Sequence, residues 1–253
     1  MPLEPRTRLR TAAKPSLDLP PPFRLISLRE VGDAFAHAIS VAGREGAGTL
    51  VHVGRFDLVE FAVVLEPEEP LRTARRALYA GLAALGDALA AHAPPERPIS
   101  FDWPDAVRVD GGLVGGGRLA WPAAAKEDAP AEWLVFGAMV RIVAMGAEEP
   151  GLRPLSAALE EEGFDDLGCG RLVESFSRHL MSVLDLWQAN GFAEAAKSYL
   201  ARLAPVSGLR RDLDANGDLL IRRSRESAIE RHPLADALRQ ASWLDPQTGG
   251  PRR

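Results

Sequence analysis

The chain has 253 residues, a formal net charge of −5, and a composition 46% apolar and 26% charged. That is the profile of a soluble globular protein with room for one good-sized domain and a small appendage. The acidic balance argues against a general nucleic-acid binder, which needs a basic surplus to offset phosphates.

No apolar run reaches the length of a membrane span, and the first residues lack the apolar stretch of a secretory signal. A single cysteine, Cys169, excludes an internal disulfide and a multi-thiolate zinc site. The expected compartment is the cytoplasm. Lysine is restricted to Lys14, Lys126 and Lys197, so a mechanism that needs one has few candidates.

Residues 1–22, rich in proline and arginine, read as a flexible leader that becomes extended at Pro20, Pro21 and Pro22. Residues 23–28 read as a short strand. Apolar residues at Val31, Ala34, Phe35, Ala38, Ile39 and Ala42 predict a helix over 31–43. Strands follow at 49–53 and 60–65, joined by the turn 54–58. A helix over 71–92 is then stopped by Pro94 and Pro95.

The stretch 101–122, FDWPDAVRVDGGLVGGGRLAWP, reads as two strands joined by a hairpin. Val107 and Val109 alternate with Arg108 and Asp110, and Asp110-Gly111-Gly112 supplies residues that tolerate positive φ. Gly115, Gly116 and Gly117 then stand where side chains normally pack. Such a tract marks either close approach by a ligand or another backbone, or a β-bulge at a sheet edge.

Residues 133–145 read as an apolar strand or strand pair, and 154–162 as a short helix closed by Gly163. Residues 170–190 form an amphipathic helix with Leu172, Val173, Phe176, Leu180, Val183, Leu184 and Trp187 inward. A helix over 192–203 follows. Asn216-Gly217 then joins strands 208–213 and 218–223, and the chain ends in a loose tail.

This order predicts an α+β fold: a mixed or antiparallel sheet with helices packed on it, then a small C-terminal β appendage. The expected division is a leader over 1–22, a main domain over 23–204 and a small domain over 205–253.

The same order and residues resemble the biotin/lipoate A/B protein ligase family, in particular the catalytic domain of biotin protein ligases. The family's Lys-Trp-Pro-Asn-Asp strand is similar to Asp102-Trp103-Pro104-Asp105-Ala106, and its Lys-Leu-Ala-Gly segment to Gly112-Leu113-Val114-Gly115-Gly116. Its glycine-containing apolar strand is similar to Leu134-Val135-Phe136-Gly137-Ala138-Met139-Val140, and the helices after it also correspond in order.

The resemblance implies a seven-stranded mixed sheet of the class II aminoacyl-tRNA synthetase and biotin ligase type. It also implies a site for biotin, lipoate or a related acyl acid with ATP and Mg. The acyl group would pass through an adenylate to a lysine of a biotinyl or lipoyl carrier domain. It leaves the oligomeric state open, a homodimer included.

Three positions depart from the family, and they set beside the ligase expectation an alternative, a catalytically silent accessory or binding protein of the same fold. The arginine- and glycine-rich phosphate loop is reduced to Gly54-Arg55-Phe56-Asp57. The hairpin lysine falls at or near Gly112, and the second acid of the Asn-Asp pair is Ala106.

The ligand-binding candidates are therefore Arg55, Trp103, Asp105, Gly115, Gly116, Gly117 and Gly137, with Arg118 and Lys126 as substitutes for the missing cation. Arginine holds carboxylates and phosphates bidentately but stays protonated, so Arg118 replaces charge and not proton transfer. The ordinary readings are a solvated Arg55 and Lys126, a turn-capping Asp105 and a core Trp103. Cys169 lacks an activating histidine and is not expected to be a nucleophile. No histidine spacing marks a metal site.

Overall fold

The computed structural model describes residues 17–145, 155–165, 167–223 and 228–253. The main sheet is built from β1 (Arg24–Leu28), β2 (Thr49–Val53), β3 (Leu58–Leu65), β4 (Ile99–Asp102), β5 (Ala106–Val109), β6 (Gly112–Ala120) and β7 (Leu134–Arg141). They lie in the order β1-β2-β3-β7-β6-β5-β4, parallel between β1 and β2 and antiparallel elsewhere. The helices are α1 (Ala34–Glu45), α2 (Leu71–Ala74), α3 (Ala77–Ala90), α4 (Cys169–Asn190) and α5 (Phe192–Arg202). A second, antiparallel sheet joins β8 (Leu209–Leu213), β9 (Leu219–Arg223) and β10 (Ile229–His232), followed by the one-turn α6 (Leu234–Ala237).

Strand alternation decides the layering. Val59, Phe61 and Val63 of β3 and Phe136, Ala138 and Val140 of β7 join Leu78, Leu82 and Leu85 of α3 and Leu172, Phe176 and Leu180 of α4 in the main core. Phe136 stacks on Phe176 at 5.8 Å between ring centroids, and Phe61 meets the same ring at 4.4 Å. Each such ring stabilises the fold by roughly 2–3 kcal/mol on burial. α3 is buried on nearly all sides because it lies between the sheet and α4 and α5.

The opposite face is covered in part by α1, whose Ala34, Ala38 and Ala42 pack on Ala62, Val64 and Val135. No described helix is long and apolar enough to cross a membrane.

Several expectations are corrected. The helix foreseen over 71–92 is two helices. The Thr73 carbonyl takes the Arg76 amide in a three-residue turn and also accepts from the Arg76 guanidinium at 2.8 Å, so the helical ladder is interrupted there.

Residues 155–163 form no helix. The Leu113 amide donates to Leu155 O, Leu113 O accepts from the Ala157 amide, and Ser156 makes a parallel bridge to Leu113, so this segment is drawn onto the sheet. Pro154, the expected start of that helix, lies outside the described residues.

The hairpin region holds three strands rather than two, and β10 was not foreseen. Residues 1–16 of the leader are outside the described part. Asp18, by contrast, donates its amide to Glu174 at 2.8 Å and pairs with Arg178 at 2.7 Å, tying the leader's end to α4.

The final GGPRR read as loose is held in place. Pro251 is buried and bridges Leu244, and the Arg252 amide donates to the carbonyl of Trp243, itself 1% exposed.

Candidate functional site

The open face of the sheet, beyond α1, carries most of the candidate residues. Cross-strand registers align Glu60, Met139, Gly116 and Ala106 in one row, and Ala62, Gly137 and Arg118 in the next. The glycine tract is therefore divided by alternation. Gly116 faces this side, where a Cβ would lie 2.3 Å from the Trp243 ring and 2.2 Å from Asp105 O.

Gly117 faces the helices, with Phe136 at 2.9 Å from its missing Cβ, so its role is core packing and not a ligand wall. Gly115 admits the β7 backbone, since a Cβ there would meet Met139 O at 1.9 Å. The register shift between Val107 and Arg108 also places a bulge here, inside the sheet and not at its edge. Gly137 makes room for Phe35, whose ring lies 2.4 Å from the position a Cβ would take.

One wall is the N-terminus of α1. Asp33 accepts the Ala36 amide at 2.8 Å, and Glu60 reaches from β3 to accept the Ala34 amide at 2.7 Å, so two orphan helix donors are satisfied. Glu60 is 3% exposed, and burial raises its pKa against the opposing pull of that amide and of Arg118. The Arg118 guanidinium lies 4.1 Å over the Phe35 ring and 3.4 Å from Asp33. Burial lowers its pKa, while Asp33 and Glu60 favour the charged form.

The other wall is the shortened turn at residues 54–57 together with a C-terminal strap, residues 242–253. Arg55 grips Asp57 bidentately at 3.0 and 2.7 Å, and this bond holds the Asp57 carboxyl below its ordinary range. Arg141 donates to Pro251 O at 2.7 Å, Arg252 O at 3.1 Å and Ala157 O at 3.1 Å, pinning the strap and the 155–158 segment together. Between turn and strap lies a cleft of about 210 Å³ lined by Arg55, Leu58, Arg141, Thr248 and Arg253.

At the strap's start, Asp105, 1% exposed, accepts the Ser242 amide at 3.0 Å and the Ser242 hydroxyl. Burial pushes its carboxyl up to about 6. The Trp243 indole lies on Gly116 among Leu58, Ala106, Leu113 and Met139 and donates Nε1–H to Gly117 O at 2.8 Å.

Arg55, Asp105, Gly116, Gly137 and Arg118 thus all line or border the open face. Trp103 does not. Its Nε1–H donates to the Tyr79 hydroxyl at 2.9 Å, which donates to Gly217 O at 2.6 Å, clipping the β4–β5 turn to the small sheet. Lys126 is exposed in the loop that packs on α2, where Ala129 O accepts the Leu71 amide, and it is not among the open-face residues.

At Gly112 a Cβ would stand 2.6 Å from that of Ala157, so a neighbouring segment leaves no room there for a longer side chain. Burial pushes the Cys169 thiol up to about 11, which leaves no thiolate nucleophile.

Sequence reasoning missed Glu60, Phe35, Arg141 and Trp243 as site residues. Glu60 had a signal, a single charge in the otherwise apolar run LVEFAVVL, and Trp243 had one as an isolated aromatic in a polar tail.

No curated protein matches the chain. Among solved structures it is similar to a biotin protein ligase-like protein of unknown function from Silicibacter sp. TM1040, at 27% identity and a TM-score of 0.77, covering 89% of this chain and 100% of that one. The biotin protein ligase of Aquifex aeolicus shares the fold at 17% identity and a TM-score of 0.64, covering 83% and 95%. That of Leishmania major shares it at 14% and 0.51, covering 84% and 98%. Residues 19–201 match the biotin/lipoate A/B protein ligase family as a whole, and the chain belongs to that family.

Proposed function

We propose that this chain binds a carboxylic acyl ligand of the biotin, lipoate or octanoate type on the open face of its sheet. In this reading it is a binding member of its family and does not work through a hairpin lysine. The observation that carries the reading is the floor at Gly116, bare of side chains, with a flat ring seated on it and a ring N–H donated to Gly117 O. Biotin presents a compact fused bicycle, folded where indole is flat, with N–H groups on its rim, while lipoate and octanoate would fill the floor by apolar contact alone. Arg118 stands two residues along the same strand, about 7 Å away. It is held by Phe35 and Asp33 as a fixed cation for a carboxylate.

With the strap closed, the residues present do not fit ATP and Mg. Arg55 is bonded to Asp57, and the cleft beside it, about 210 Å³, is smaller than the ~300–1,000 Å³ of small-molecule sites. Gly112 offers no room for a lysine. No activation step is therefore assigned.

A second reading, adenylation and transfer to a lysine of a biotinyl or lipoyl carrier domain, is favoured by family membership. The Aquifex aeolicus ligase has a structure with biotin and ATP.

Titration calorimetry with biotin, lipoate and octanoate, on the wild-type chain and Trp243→Ala, is the test, with ATP–pyrophosphate exchange alongside. Binding without exchange is expected. Exchange that depends on an acyl acid would move the conclusion to the second reading, and no binding by any of the three acids to either protein would overturn the first.

A further inference from the structure

We infer that the C-terminal strap competes in cis with the acyl ligand. Trp243 is a built-in occupant of the ligand floor, and binding requires the strap to lift. This rests on the acyl-binding reading above.

The indole belongs to a satellite cluster and not to the main core, with Leu58, Ala106, Leu113 and Met139 around it. Its hydrogen bond uses a carbonyl that the sheet leaves over. β5 begins only at Ala106, so Gly117 on β6 gives its amide to Asp105 O at 2.9 Å while its carbonyl takes the Trp243 indole at 2.8 Å. A carbonyl presented to the floor in this way serves any ring N–H that arrives, from the strap or from a ligand.

The strap is also built to move as a unit. It is closed on itself by Asp245 N to Gly250 O at 2.9 Å, Gly249 N to Asp245 O at 2.8 Å and the Leu244–Pro251 bridge. Among residues 242–253 only Trp243 and Pro251 are buried, and exposed Arg239 and Gln240 precede them. Among the described residues its attachments to the body are the indole packed in that satellite cluster and a few polar bonds: Ser242 on Asp105, the indole on Gly117, Arg141 on two strap carbonyls, and Arg253 on Met145 O. Asp105, the Gly117 carbonyl and the Arg141 guanidinium all border the floor or cleft, where ligand or water takes over each bond.

The experiment compares wild type, Trp243→Phe and Trp243→Ala in the full chain by calorimetry with biotin, lipoate and octanoate. The apparent affinity scales with the fraction of open molecules, so Trp243→Ala is expected to bind about tenfold tighter or more, with Trp243→Phe between it and wild type. Equal affinities across the series overturn the strap and leave the acyl reading standing.

Failure of the acyl reading looks different. Free indole would raise the melting temperature of Trp243→Gly by refilling the floor, while no acyl acid would bind any variant, and the competition would fall with it. Hydrogen exchange on the wild-type chain needs no variant to fold. With saturating biotin the Ser242 and Arg252 amides are expected to lose protection, and unchanged protection in the bound state overturns the strap.

Discussion

On the helix-covered face, Phe61, Phe136 and Phe176 close against one another and against the leucines of α3, and two glycines, Gly81 and Gly117, bring Phe136 in tightly. On the open face the neighbouring positions of the same strands are Glu60, Gly137, Gly116 and Arg118. There the rings come from elsewhere, Phe35 from the start of α1 and Trp243 from the chain's end. Glycine thus serves both faces to opposite effect. Toward the helices it tightens the main core, while toward the open side it leaves a floor filled by a ring from the far end of the chain. The first face is held by long elements packed on one another, the second by α1, a small apolar cluster around Trp243 and a few polar bonds to the strap.

The sharpest way to break this comparison is to empty each face in turn. Phe136→Ala is expected to cost about 3–5 kcal/mol in urea unfolding, as large-to-small core changes do. Trp243→Ala should cost clearly less, because the strap is lost locally while the sheet and helices stay packed. Equal costs would make the open face ordinary core.

Asp105 offers a pH test. Burial raises its folded-state pKa from 3.8 to about 6, so the fold favours the neutral acid. The stabilisation is complete below the unfolded value and is lost as pH rises through the folded one, between about pH 4 and 6. The loss is at most about 3 kcal/mol at 1.36 kcal/mol per pH unit. Melting temperatures of wild type minus Asp105→Asn across this window should decline with pH, and a flat difference would remove Asp105 as a strap anchor that titrates.

Gly112→Lys asks whether the family's lysine can be put back. With Ala157 in the way, overpacking should cost about 1–3 kcal/mol, and ATP–pyrophosphate exchange should stay absent. Restored exchange would show that the 155–158 segment yields.

The smallest effect is expected from Arg55→Ala, about 0–1 kcal/mol in denaturation for a partly exposed pair. Acyl affinity should be unchanged, since its partner is Asp57. A tenfold weakening in calorimetry would return Arg55 to the ligand site.

Much of the fold was legible because period-2 and period-3.6 patterns encode which residues are inward. β3, β7 and α4 fall where their apolar residues recur, and the family order followed from those elements. The parity of the glycine tract was legible too, since Gly115 and Gly117 must oppose Gly116. Which parity meets the helices was not, because that depends on pairing with β7 and on the shift at Val107 and Arg108. The partner of Trp103 was not legible, because its place after the strand gave no hint of Tyr79 and the small sheet.

By itself the sequence determined the α+β order, which is a matter of residue type and local periodicity, and it carried the resemblance to the family against which a missing hairpin lysine and a short arginine turn stand out. Tertiary structure alone decided that Ala157 closes the Gly112 position, that Arg55 is bonded to Asp57, and that Trp243 lies on Gly116. The physical reason is distance along the chain. Trp243 and Gly117 are 126 residues apart, and no local pattern records a contact that exists only once the sheet has formed and left a floor for it.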